Sequence, residues 1–473
     1  MKRLQGMDAL FLHTETATQY MHTLKVAIFE PPADGSPYSF ADQMEHIAST
    51  IHRVPPFRWK ALPIPFNLHN PIWITDPHFD LALHVHRAAL PAPAGSDQLA
   101  EFIENIASTP LNRERPLWDL WMVENYLGDK IAAVSKVHHA LADGVATAEL
   151  LEDFMTPEAG AEIPAPPPLA IEQPPPLWRM LGAALVDLIR DLVRIPAKVM
   201  AVRAAKAHQK ERNLSPEERP PEPYSAPFTL LNRPISSHRK FNFFTVPLAR
   251  VKAVSAAYGV TINDVVMNMA AQAVREYLIE HNDLPSQSLT ASIPISTRGK
   301  EAEHTYGNKV GSLCVSLCTD IADPVARLQA IHAAMAASKL DFEDTAGGRA
   351  ADVVGLLPPV LVRAIGSYSR RLSMQGKSPS YNLIVSNVPG PRGELFDDYL
   401  AMSEFYSIGP ILEGIGLNIT AWSFRDNLSF SILSCVRAVP DPGVIRTGLI
   451  RALDDMENAQ NNSQGDHGER AAT

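Results

Sequence analysis

The stretch Val137-His138-His139-Ala140-Leu141-Ala142-Asp143-Gly144 joins two segments of different periodicity. Residues 130–137 read as a short buried strand, and residues 145–154 have the spacing of a helix. The histidines thus stand where a strand runs out, a common place for a sheet protein to put its chemistry. Strand geometry carried through the pair sends successive side chains to opposite faces. Ile131, Ala133, Ser135, Val137 and His139 then share one face, and Ala132, Val134, Lys136 and His138 share the other. Two adjacent histidines in a strand cannot both address one substrate. One is expected to be a working base and the other a packed, hydrogen-bonded strut.

Residue chemistry alone leaves three readings open. Asp143 can be no more than the N-cap of the following helix, with Gly144 relieving the turn. His-His-x-x-x-Asp also offers nitrogen and oxygen donors to a metal, although zinc sites usually set two histidines at i and i+4 on a helix. The third reading is a general base.

Composition narrows the classes. At 473 residues, 46% of them hydrophobic, the chain is expected to form two domains, each with a sizeable core. A net charge of −10 and a pI near 5.9 argue against a nucleic-acid partner, because no overall basic surface is available. Cys314, Cys318 and Cys435 are odd in number and widely spaced, so no disulfide framework and a reducing cytoplasm are expected. Lys2-Arg3 has no apolar run behind it, which argues against a signal peptide. No stretch reaches the roughly 18–20 apolar residues of a membrane span.

Outward from the histidines, residues 24–29 and 119–126 read as strands, and 41–51 and 97–109 as helices. His22 reads as structural. A proline-rich run over 163–176 behaves as an extended spacer. Residues 177–210 then form a long helix with apolar Leu181, Leu185, Leu188, Leu192 and Ile195 and a basic excess, kinked at Pro196. It either packs across the domains or lies on an anionic lipid surface.

In the second half, 241–246 reads as a strand and 248–258 as a helix stopped by Gly259. Thr261 and Asp264 approximate a capping box for the next helix, leaving Asn263 beside them. Strand 289–294 leads to Arg298, placed to pair with Asp143 and fix its loop unless it is a plain surface arginine. Strand 381–385 ends in Ser386-Asn387-Val388-Pro389-Gly390, a turn signal. That strand tip mirrors the one carrying His139, and both are expected to face one cleft. A helix over 442–456 precedes a polar tail, 457–473, expected to be disordered.

Several segments, in order, resemble the bacterial wax ester synthase/diacylglycerol acyltransferase family. They are D-x-x-F-L-x-x-E from Asp8 to Glu15 followed by Met21-His22, R-P-L-W ending at Trp118, HHxxxDG from His138 to Gly144, Asn263-Asp264, P-I-S-T-R ending at Arg298, and S-N-V-P-G-P from Ser386. HHxxxDG alone is shared with chloramphenicol acetyltransferases, peptide-synthetase condensation domains and plant acyltransferases. The D-F-G-W-G segment of the plant branch is absent.

The resemblance implies a two-domain α/β (α+β) fold of the chloramphenicol-acetyltransferase type. Each half is a mixed sheet with flanking helices, and the active site lies in the tunnel between them. The expected divisions are 1–162, a crossover over 163–227, a second half over 228–456, and the tail. The resemblance further implies transfer of a long acyl chain from fatty acyl-CoA to diacylglycerol or a long-chain alcohol, with no cofactor and no metal. His139 is then the general base, neutral at pH 7 because a free imidazole titrates near ~6.5, with His138 supporting it and Asp143 and Gly144 orienting the loop. Asn263, Ser386 and Asn387 are oxyanion or positioning candidates, and Arg298 and Asp264 are structural supports. The location expected is cytoplasmic, with peripheral contact to the membrane or lipid inclusions. The rival classes are a lipid-surface binding protein of the same fold with little catalysis, an acyltransferase for another hydroxyl, and, more distantly, a metal hydrolase.

Overall fold

The computed structural model describes residues 2–4, 6–141, 154–164, 173–211, 220–222, 224–296, 310–345, 353–375 and 379–470. In the first half they form β1 (Lys2–Arg3), α1 (Gly6–Thr14), β2 (His22–Phe29), α2 (Phe40–Thr50), β3 (Trp59–Leu62), β4 (Ile72–Thr75), β5 (Val85–Ala89), α3 (Ser96–Ala107), β6 (Trp118–Tyr126) and β7 (Lys130–His138). The crossover helix is α4 (Leu177–Glu211). Next come β8 (Arg239–Pro247), α5 (Leu248–Tyr258), α6 (Ile262–Glu280), β9 (Thr290–Ser296), β10 (Val310–Ser316), α7 (Pro324–Thr345) and α8 (Pro359–Met374). The chain finishes with β11 (Leu383–Pro389), β12 (Phe396–Asp397), β13 (Leu400–Ile408), β14 (Leu417–Phe424), β15 (Asn427–Cys435) and α9 (Pro442–Arg470).

Two six-stranded mixed sheets carry the fold, in the orders β12-β13-β2-β7-β6-β5 and β10-β9-β11-β14-β15-β8, beside a small β1-β4-β3 sheet. The first sheet is not built by the first half alone. β13 comes from beyond residue 400 and pairs antiparallel with β2, Tyr406 opposite Val26 and Ser407 opposite Lys25. The expected division at 228 is therefore crossed by a strand, which locks the halves together. Sequence reading assigned no element to this segment.

Alternation explains how the layers stack. Ala132 and Val134 of β7, with Leu24, Val26 and Ile28 of β2, pack on α3 through Leu99, Ile103 and Ile106. Ile131 and Val137 join Ala27 and Phe29 on the opposite face, against α1, α2 and the second-sheet residues Trp422 and Phe424. The second sheet is equally two-sided. Val385, Ile419, Ala421, Phe430 and Ile432 share a dry core with α6 and α9. Ser386 stands opposite Thr420, and Thr420 opposite Ser431, on the other face. That polar stripe meets the first sheet. Thr245 Oγ1 lies 2.9 Å from the Tyr406 hydroxyl, and the Trp422 ring lies 5.0 Å from that of Phe405.

Local chemistry sets the element ends. Gly259, at φ 65°, ends α5 in the left-handed conformation that only glycine adopts at no cost. α6 is buried on almost every side, as a helix sandwiched between a sheet and α9 must be. Two expectations change. α9 runs on through residue 457, where disorder was expected, because Met456 is fully buried and Glu457 accepts from Arg250 Nε at 2.9 Å. β11 does not stop before Ser386 but continues to Pro389, paired in parallel with β14. Its end is set by Gly390, whose missing Cβ leaves room for the Trp422 indole and the Ser423 carbonyl.

Candidate active site

The β7 strand delivers the two histidines to opposite faces. His138 is buried on the α3 side, opposite His22 in the β2–β7 register. Its Nδ1 accepts the Ala140 N–H at 3.0 Å, which places the ring proton on Nε2. That nitrogen lies 3.6 Å from Glu15 Oε1, an electrostatic contact rather than a hydrogen bond. His139 is half-buried on the other face, its ring centroid 4.4 Å from that of Phe11 on α1. Because the rings diverge, they cannot converge on one ion.

Glu15 ties both sides of this arrangement together. Its Oε1 accepts the Met21 N–H at 3.0 Å, and the Met21 carbonyl in turn accepts the His139 N–H at 2.7 Å. Arg113 donates to Glu15 Oε2 from Nε at 3.2 Å and also from Nη2, and it reaches the Leu12 carbonyl at 3.0 Å. Burial pushes the Glu15 carboxyl up. His138 and the Arg113 guanidinium more than reverse this and bring it down to about 2. In the sequence Glu15 stands only as the last residue of the opening D-x-x-F-L-x-x-E segment. Nothing in local spacing signals that a carboxylate 123 positions upstream will face His138.

The remaining histidine of the region behaves as expected. His22 stacks on Tyr20 at 5.5 Å, and burial holds its imidazole well below the usual range, so it stays neutral. Trp118, from R-P-L-W, is structural. Its indole N–H donates to the Phe57 carbonyl at 2.7 Å, and its ring stacks on Phe57 and His84. Arg115 pairs with Asp119 at 2.8 Å. Lys25 is a buried ammonium that sequence reading passed over. It lies on the same face as His139, 2.6 Å from Ser407 Oγ and 5.6 Å from the Trp422 ring centroid.

The two candidates on β11 separate. Ser386 belongs to the polar stripe that faces the first sheet, in register with Thr420. Asn387 is in register with Ala421, whose side chain lies in the core beneath α6, so strand alternation turns it the other way. Asp143, Gly144 and Arg298, the proposed Asp143–Arg298 pair and nearly all of the 145–154 helix lie outside the described residues. A cleft of about 790 Å³ runs between α3 and β8, lined by Glu104, Thr109, Arg239 and Asp441 among others. It opens on the α3 side of the first sheet, away from His139.

Residues 4–266 match the wax ester synthase/diacylglycerol acyltransferase catalytic domain, and residues 306–457 match the C-terminal domain of the same proteins. The chain belongs to this family. Membership makes it an acyltransferase. A putative diacylglycerol O-acyltransferase of Mycobacterium tuberculosis H37Rv is 37% identical over 96% of this chain and 97% of its own length. A second from that strain is 35% identical over 97% and 96%. The solved wax ester synthase/diacylglycerol acyltransferase of Marinobacter aquaeolei VT8 superposes with a TM-score of 0.72 at 25% identity, covering 98% of this chain and 100% of that one. A condensation domain of the calcium-dependent antibiotic synthetase shares the fold, with a TM-score of 0.60 at 14% identity over 96% and 94% of the two chains.

Asn263 and Asp264 open α6, and their surroundings differ. Asp264 Oδ2 accepts from Thr261 N at 2.8 Å and from Thr261 Oγ1 at 2.8 Å, and it meets His332 Nδ1 of α7 at 2.7 Å. It is the cap and the α6–α7 clasp. Asn263, one residue earlier, is half-buried. Replacing Asp264 by alanine is expected to lower stability by about 1–2 kcal/mol, read as a fall in the thermal midpoint. Because nothing places Asp264 at the reacting atoms, activity per folded molecule should be unchanged.

Proposed function

We propose that this acyltransferase moves a long fatty acyl chain from acyl-CoA to the hydroxyl of diacylglycerol or a long-chain alcohol, with His139 as general base. The observation that carries this reading is the pairing of faces. Val137 and Ala140, which flank the histidines, share one apolar cluster with Trp422 and Val388 of the second sheet, and Ser386 lies on the same face of that sheet as Val388. An imidazole and a hydroxyl thus serve one interface from opposite sheets. His138 holds the Ala140 N–H, and Glu15 holds the Met21 N–H, whose carbonyl accepts from His139 N.

The chemistry then follows in one displacement. His139 takes the proton from the acceptor hydroxyl as its oxygen attacks the thioester carbonyl. The tetrahedral oxyanion accepts a hydrogen bond from Ser386. Collapse expels the CoA thiolate, and His139 returns its proton to that sulfur. Nothing in the step calls for an acyl-enzyme. The base should supply about 10²–10⁴-fold, and an oxyanion donor about 2.7–4 kcal/mol. Acyl-chain selectivity should be soft, since one methylene shifts binding by only about 1–3 kcal/mol.

Incubation of the full chain with radiolabelled palmitoyl-CoA and either diacylglycerol or hexadecanol should yield labelled triacylglycerol or wax ester. Label recovered only as free palmitate would contradict transfer. A paired substitution tests the oxyanion assignment. Ser386→Ala is expected to lower kcat about 10²–10³-fold with KM for acyl-CoA little changed, whereas Asn387→Ala should alter kcat less than about threefold, because its side chain faces the helix layer. Equal losses in both variants would remove Ser386 from the site.

A further inference from the structure

Two helices leave their outer sides apolar and basic at once. On α4, Trp178 is 74% and Val193 73% exposed; on α8, Val360 is 62% and Tyr368 64% exposed. Between Leu177 and Arg203 the only acids are Asp187 and Asp191; Asp187 pairs inward with Arg3 at 2.7 Å and also lies 3.4 Å from Arg190, and Asp191 turns inward to His69 at 3.3 Å. α8 contains no acid at all. What faces outward beside the apolar side chains is arginine, namely Arg190 and Arg194 on α4 and Arg363 and Arg371 on α8. In a chain of net charge −10, this patch runs against the overall sign. Met180 and Ala184 anchor the inner side of α4 on the Ile64–Ile72–Ile74 cluster, so the exposed side is not a core face left open by loose packing.

Both helices are fastened to the same N-terminal segment. Arg3 of β1 holds α4 through Asp187, and Gly6 at the start of α1 touches the chain just ahead of α8. A Cβ on Gly355 would stand 2.8 Å from the Gly6 Cα. α1 then carries Phe11 to the His139 ring. Apolar side chains interleaved with arginine, without exposed acids, are the pattern of helices that lie in the headgroup region of an anionic bilayer.

We propose that the exposed sides of α4 and α8 form one docking surface for an anionic lipid bilayer, and that docking sets α1 and His139 beside an acceptor dissolved in that bilayer. The second clause rests on the acyltransfer reading above; the docking itself does not.

The test is sedimentation of the full chain with vesicles of phosphatidylcholine alone or mixed with phosphatidylglycerol, comparing wild type, Trp178→Ser/Val193→Ser and Val360→Ser/Tyr368→Ser. The substituted side chains are largely exposed, so folding should survive, and circular dichroism verifies it. Wild type should bind the anionic vesicles in a salt-sensitive way and the neutral ones weakly, and each double variant should bind about tenfold less tightly. Transfer to bilayer-dissolved diacylglycerol should fall in parallel, while transfer to a water-dispersed short alcohol should not. Binding that is absent in wild type, or equal in all proteins, overturns the proposal. So does a dimer in solution that the same substitutions dissolve, since the faces would then meet a second copy. Charge-dependent binding weakened by both variants, with no turnover of any acceptor, would support docking and count against the acyltransfer reading alone.

Discussion

His139→Ala is expected to reduce acyl transfer by about 10²–10⁴-fold in a protein that still folds. The ring is half-buried and packs on Phe11 at 4.4 Å. Losing one such aromatic pair costs about 0.5–1.5 kcal/mol, which a chain with two large cores tolerates. His138→Ala should behave differently. That ring is buried, and its Nδ1 accepts the Ala140 N–H, so its removal strands a buried donor at a cost of about 1–3 kcal/mol. Measured together, initial rates and thermal midpoints separate the roles: His139→Ala loses rate with little loss of stability, and His138→Ala loses stability first. Wild-type rates in His139→Ala would end its assignment as the base.

Glu15→Ala carries the second large effect. Its side chain is 9% exposed and meets three partners, Arg113 (which also reaches the Leu12 carbonyl), the Met21 N–H and His138. Removing it leaves the buried Met21 N–H without its acceptor, at a cost of about 1–3 kcal/mol, while Arg113, 46% exposed, can turn to water. The same carboxylate makes stability pH-dependent, and its sign is fixed. Its folded value, about 2, lies below its ordinary value of 4.5, so the folded state binds this proton less well than the unfolded state. Its contribution, about 2–3 kcal/mol, is therefore full above about pH 5 and is lost as pH falls towards 2. Denaturation between pH 6 and 2.5 should show this loss in wild type, and Glu15→Gln should flatten it. An identical acid profile in the variant would show that Glu15 does not hold the frame. Because Met21 carries the His139 N–H bond, Glu15→Gln should also lower kcat more than KM changes.

Much of this architecture is legible along the chain, and the reasons differ by element. β7 and the opposed faces of His138 and His139 follow from alternation. α5 and its Gly259 stop, and α6 with its Thr261–Asp264 cap, follow from local turn chemistry. Each is decided by residues a few positions apart. What was not legible depends on distant pairing. β13 joins the first sheet through contacts with β2 some 380 positions away, and its sequence carries no sign of which sheet it enters. Glu15 reaches His138 only because α1 and β7 are brought together by packing. The opposite facing of Ser386 and Asn387 depends on β11 continuing to Pro389, since a turn at Ser386 would leave both side chains at one tip. The crossover helix packs its inner side on the small sheet and leaves its outer side apolar and basic.

The most direct measurement of the central claim is release of free CoA thiol from palmitoyl-CoA by the wild-type chain, with diacylglycerol, with hexadecanol and with no acceptor. Direct transfer by a general base predicts thiol release that depends on acceptor, matches ester formed one for one, and shows no burst before acceptor is added. Thiol released equally without any acceptor, or a stoichiometric burst in its absence, would contradict that account.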